Sequence, residues 1–153
     1  MHNLKTIEMR DVETTKQKVI GLLAQAKDEI LMSTGLNSDF YNDAKIKTTI
    51  TDAFRRVKKI RIIIDGDVDL RKTETPWFFE LAKELNQKLQ MRQNKDILHW
   101  LVVDNKNCRL EKVHQLGRVG TENLVAYDVP LPVLENIKDS YNKWWDEGKP
   151  IDP

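Results

Sequence analysis

Apolar residues recur along the chain at two spacings, and the alternation between them predicts a succession of helices and strands. Over residues 12–28, Val12, Val19, Ile20, Leu22, Leu23 and Ala26 fall at helical spacing, and Asp11 stands where a helix cap belongs. Residues 29–34 form a short apolar run closed by Gly35, which suits a strand. Residues 43–58 place Ile46, Ile50, Ala53, Phe54 and Val57 on one helical face, and residues 59–65 are β-branched enough for a central strand. A polar stretch, 66–75, reads as a loop. Pro76 then opens a helix carrying Trp77, Phe78, Leu81, Leu85 and Leu89, and residues 90–92 suit a brief strand. Residues 97–104 and 108–112 flank the turn tripeptide Asn105-Lys106-Asn107 and predict a hairpin. A last strand is expected over 123–128. A last helix follows over 130–145, with Leu134, Ile137, Tyr141, Trp144 and Trp145 in register, stopped by Gly148 and Pro150. Strands alternating with helices, then a hairpin, predict an α/β sandwich whose mixed sheet is covered by helices on both faces.

Length adds that 153 residues suit one domain, here residues 12–150, with a lead-in over 1–11 and a tail over 151–153. The chain is 40% hydrophobic and 32% charged, and no apolar run approaches the roughly 18 residues of a membrane span. The first residues lack the pattern of a secretory leader, and the single cysteine, Cys108, has no internal partner, so the expected setting is the cytoplasm without a membrane partner. A net charge of +1 gives no overall positive field for nucleic acid. One local basic run, Arg55, Arg56, Lys58, Lys59 and Arg61, is either a nucleic-acid face or an ordinary solvated helix end.

The motifs that could carry chemistry are few. Asp65-Gly66-Asp67-Val68-Asp69 opens like a calcium loop, but Leu70 and Pro76 stand where that loop requires glycine and glutamate, so it reads as an acidic loop at a strand end. Asp65 remains a pocket candidate, because ligands of α/β sheets collect beyond the carboxyl ends of strands. His99 and His114, with Asp104 or Glu111, could meet as a zinc site, although no tight ligand spacing supports it and neither metal nor cofactor is expected. No glycine-rich phosphate loop and no nucleophile elbow occurs. Cys108 and the Trp144-Trp145 pair read as core residues rather than a nucleophile and a stacking platform.

The stretch Ile97-Leu98-His99-Trp100-Leu101-Val102-Val103-Asp104 resembles the signature of the phospholipase D superfamily: histidine, any residue, lysine, four residues, aspartate, then Gly-Ser-x-Asn. Counted back from Asp104, the histidine position holds Ile97 and the lysine position His99. Glu111-Lys112-Val113-His114 occupies the place of Gly-Ser-x-Asn. Thr121-Glu122-Asn123 and the strand after it look like the Ser-Glu-Asn segment of the family's small bacterial endonuclease branch, which puts Glu122 on that branch's glutamate. The ending, through Tyr141 and Trp144-Trp145, is similar to that branch's final helix.

The resemblance implies a phospholipase D-like fold over the chain from Val12 onward, and a homodimer, since single-motif members pair two copies. In the family the histidine attacks phosphorus. Isoleucine has no lone pair to offer, so catalysis by the family's route is not expected. Side chains two apart share a strand face, so Ile97, His99, Leu101 and Val103 are predicted as one row and Arg109 with Glu111 as another. The expected site is then His99, Asp104, Arg109, Glu111, Lys112, His114 and Glu122. Three functions stay open. The first is a non-catalytic domain binding a small anionic or polar ligand, such as the effector domain of a transcription regulator; residues 29–33 resemble the same segment in archaeal regulators. The second is a phosphodiesterase or nuclease using His99 or His114. The third is a nucleic-acid-binding module.

Overall fold

The computed structural model describes residues 5–111 and 123–153. Their strands are β1 (Lys5–Met9), β2 (Glu29–Thr34), β3 (Lys59–Asp65), β4 (Leu89–Asn94), β5 (Trp100–Val103), β6 (Asn107–Glu111), β7 (Asn123–Tyr127) and β8 (Lys149–Pro150). They form one sheet in the order β1-β7-β6-β5-β2-β3-β4-β8. The pairs β2–β3 and β3–β4 are parallel and the others antiparallel, so the sheet is mixed as predicted.

The alternation of side chains across the sheet divides the core in two. Ile30, Met32, Ile60, Ile62, Ile64, Leu101, Val103 and Val125 point to one face. There they meet three amphipathic helices: α1 (Val12–Ala24), α3 (Ala44–Arg56) and α5 (Pro76–Glu84). Leu31, Ile63, Val102, Cys108 and Ala126 point to the other, under the long helix α6 (Leu131–Glu147), which brings Leu134, Ile137, Tyr141 and Trp145. The Tyr141 hydroxyl, fully buried, lies 3.1 Å from the Met32 carbonyl and 3.0 Å from that of Arg61, which pins α6 across β2 and β3. The covering of both faces is therefore as expected. Short helices α2 (Ser38–Tyr41) and α4 (Val68–Glu74) complete the set among the described residues.

Several elements differ from the sequence reading. The segment expected as a lead-in supplies the edge strand β1, paired with β7. The polar stretch expected as a loop contains α4, which has no fully buried residue and is capped by the Asp67 carboxylate on the Leu70 N–H. The first and third long helices end earlier than predicted, and β4 is longer.

Asp104 also finds its place here. It follows β5 at the tip of the β5–β6 hairpin with φ of +55°, and its carboxylate accepts from the backbone N–H groups of Lys27, Asp28 and Glu29, at 2.7–3.2 Å. One side chain thus ties the hairpin to the start of β2. Replacing it leaves three donors to find water or go unpaired, so Asp104→Ala should destabilise by about 1–3 kcal/mol in urea denaturation, with Asp104→Asn, which keeps one acceptor, in between.

Candidate functional site

The parallel strands β2, β3 and β4 end together at one edge of the sheet, where the chain leaving β3 carries Asp65 and the chain entering β5 carries His99. On the next strand, β6 ends in Glu111, and Arg109 sits two residues before it, opposite Leu101. Parity therefore turns Arg109 and Glu111 toward the α1, α3 and α5 face, in one row as the sequence predicted.

His99 is the centre of this corner. Its Nε2 lies 2.9 Å from the Asp65 Oδ2, and its Nδ1 lies 3.1 Å from the Glu111 Oε2. A neutral imidazole has one N–H, yet both nitrogens here face carboxylates, which only accept; the ring is the doubly protonated imidazolium. Partial burial opposes this charge and is the largest single influence. The hydrogen bonds and charges of Asp65 and Glu111 together outweigh it and push the pKa up to about 9. At neutral pH roughly one ring in a hundred is then neutral.

The same corner is bound by further contacts. Glu111 Oε2 also accepts from the His99 N–H at 3.2 Å, and Arg109 donates to the His99 carbonyl at 3.1 Å. Burial pulls the Arg109 pKa down from the usual guanidinium value, with Tyr41 and Glu111 opposing that shift. Ser33 on β2 donates to the Leu98 carbonyl at 2.7 Å and accepts from the Trp100 N–H at 2.8 Å, so it holds both sides of His99. Gly35 allows the close approach, because a Cβ there would stand 3.1 Å from the His99 Cε1. The flanking backbone is strained in two places, with φ of +49° at the buried Leu36 and +56° at Asp96. The left-handed region costs an aspartate little but a leucine about 1 kcal/mol or more. Asp96 gives its N–H to Asp65 at 3.2 Å, and the Leu36 N–H goes to Thr34 at 3.0 Å.

One residue expected at the site lies elsewhere, and one leaves the row predicted for it. Asp104, at the far end of β5, is about 16 Å from His99 by the rise of a strand, and its carboxylate is spent on the β2 backbone. It cannot join His99 around a zinc ion. Ile97 does not share a row with His99. The chain is not yet a strand at that point, and Ile97 packs with Leu31, Ile63, Tyr141 and Trp145 on the α6 side, opposite Leu101 and Val103. Lys112, His114 and Glu122 lie outside the described residues. Cys108 is buried, and burial pushes its thiol pKa up to about 11, far from a thiolate at neutral pH. Trp145 is a core residue, and Trp144 packs on Trp100 with ring centroids 4.7 Å apart.

The acidic loop after β3 lines a cavity of about 360 Å³ with Gln93 and Lys95, but Asp67 caps α4 there. The carboxylate of that loop that does meet other site residues is Asp65. Its place at a strand's carboxyl end was visible in the sequence, whereas its pairing with a histidine 34 positions away was not.

Against known proteins, no family model and no curated protein matches the chain. Solved structures do. TrmBL2, described as an archaeal chromatin protein with a novel mode of DNA binding, superposes on 95% of this chain with a TM-score of 0.73 and 21% identity; the chain spans 53% of it. Nuc from Salmonella typhimurium, described as a phospholipase D family member, is covered in full by 99% of this chain, with a TM-score of 0.69 and 15% identity. NucT from Helicobacter pylori is also covered in full, by 97% of the chain, at 0.62 and 14%. The chain has the phospholipase D-like fold. Among the described residues no helix is long and apolar enough to cross a membrane.

Proposed function

We propose that this chain is a phospholipase D-like domain that has given up phosphodiester chemistry and serves as a binding or regulatory domain, such as the effector domain of a transcription regulator. The observation that carries this reading is the clamping of His99 between Asp65 and Glu111. A nucleophile needs a lone pair, and both ring nitrogens are committed as donors. Two carboxylates also make a poor seat for a phosphate, which brings more negative charge. Ile97, which the resemblance puts at the family's nucleophile position, has no lone pair to offer and packs in the core. With its acids, His99 and Arg109 forming a nearly neutral set, the corner suits a small polar ligand better than a strongly anionic one.

The likeness to TrmBL2, described as a DNA-binding chromatin protein of which the chain spans 53%, supports a setting in a DNA-binding protein. The homodimer implied by the family resemblance belongs to the same proposal, as do contributions from Lys112, His114 and Glu122.

The test is hydrolysis of bis(p-nitrophenyl) phosphate and of single-stranded DNA by the purified protein, beside His99→Gln and His114→Ala. All three should show the same background rate. Turnover that disappears in one variant would make the protein a nuclease with a variant histidine and overturn the reading.

A further inference from the structure

The end of the sheet opposite His99 carries a second site. A cavity of about 380 Å³ opens where β3 and β4 begin, lined by Lys58, Lys59, Arg61 and Lys88 with the amides of Asn86, Gln87 and Gln90. Among the described residues no carboxylate lines it.

The cations differ in what already satisfies them. Lys58 pairs with Asp28 at 3.3 Å, both exposed, an interaction worth little in water. Lys88 is fixed as a wall, since its ammonium donates to the carbonyls of Arg55 and Val57 at 2.8 and 2.7 Å and closes the end of α3. Lys59 has no ion-pair partner among the described residues. Glu29 stands opposite it in the β2–β3 register without forming a pair. Arg61, two residues on and so on the same face, has its guanidinium carbon 5.3 Å from the centre of the Trp145 ring. No described group accepts from that guanidinium, and its Nε is buried without a partner. Gln90 lies directly beside Arg61 on β4 and adds amide donors.

A planar donor fork held on an indole, with an unpaired ammonium on the same strand and amides around it, is the chemistry that recognises phosphate oxygens. We propose that this cavity binds a phosphate group, either of a free phosphorylated compound or of a nucleic-acid backbone. The basic run seen in the sequence is thereby narrowed. Arg55 meets Glu84 in a two-point contact at 3.0 and 3.1 Å, and Arg56 donates to the carbonyls of Leu23, Ala24 and Ala26 at the end of α1; neither lines the cavity. Lys88, outside the run, lines the cavity with its ammonium already given to the α3 carbonyls.

The site is separate from the His99 corner, and its test reads binding rather than hydrolysis. The full chain is titrated with pyrophosphate by calorimetry, and with a labelled DNA duplex by anisotropy at about 50 mM and about 300 mM salt. Lys59→Glu and Arg61→Lys are compared with Lys95→Glu, which makes the same charge change as Lys59→Glu at the other end of the sheet. Circular dichroism melts show that each variant is folded. At least one titrant should bind, with affinity falling about tenfold or more in Lys59→Glu, falling less in Arg61→Lys, and unchanged in Lys95→Glu. Binding of pyrophosphate alone assigns a free phosphate compound; salt-dependent binding of the duplex assigns the nucleic-acid backbone. If neither titrant binds at low salt, or Lys59→Glu binds as well as the parent, the proposal fails.

Discussion

Denaturant unfolding should show the folded state weakening as pH rises from about 6.5 to beyond 9, by up to on the order of 3 kcal/mol from His99 alone. The unfolded ring has the ordinary histidine pKa of 6.5, and in the folded protein the value is about 9. The folded state therefore holds its proton more tightly. Its contribution is complete below about pH 6.5 and is lost as the pH climbs through about 9. The magnitude is an upper figure, because the ring remains 31% exposed and water screens part of the attraction. His99→Gln, which keeps a donor but carries no titrating charge, should be less stable than the parent at pH 6.5 and nearly independent of pH across the same window. The difference between parent and variant isolates His99 from other groups that titrate at high pH. If parent and variant show parallel profiles, the ring is not held as an imidazolium, and the argument against its acting as a nucleophile goes with it.

This charged corner shows where sequence reasoning reached and where it stopped. Strands β2 and β3 match the predicted bounds because burial on both faces demands continuous apolar runs, and those runs are written locally. Strand β1 gave no such run. Four of its five residues are exposed, and it is a strand because β7 pairs with it from over a hundred positions away. Helix α4 has no fully buried residue, so hydrophobic periodicity was silent there.

The misplacement of Ile97 has a similar cause. Period-two counting from Asp104 is valid only while the chain is a strand, and β5 begins at Trp100. Upstream of it the chain carries the left-handed turn at Asp96, and parity is lost. Arg109 and Glu111 lie inside β6, where parity holds, and they came out on one face as expected. What no local pattern could give is Asp65 against His99, which exists only because β3 and the entry to β5 end at the same edge of the sheet. Pairing of the same kind removed Arg55 and Arg56 from the basic face, through Glu84 and through the end of α1.

The largest stability effect is expected from Glu111→Ala, at about 3–5 kcal/mol, the range for removing one partner from a buried charge network. Glu111 is 8% exposed. Its carboxylate meets both the ring and the backbone N–H of His99, and its charge offsets part of the burial penalty on Arg109. Truncation leaves Arg109 as a buried cation with less compensation and His99 with Asp65 as its one acid. Glu111→Gln separates shape from charge. It retains an acceptor for His99, so it should cost less than the alanine variant while still lowering the His99 pKa in a histidine NMR titration. Arg109→Met tests the partnership from the other side. In a double-mutant cycle, Glu111→Ala with Arg109→Met should cost less than the sum of the single changes, by about 1–3 kcal/mol, because each removal relieves the charge that the other leaves exposed to a low dielectric. Additive costs would mean that Arg109 is supported by other groups. The corner would then be a single histidine held by two acids, not one network of two cations and two anions.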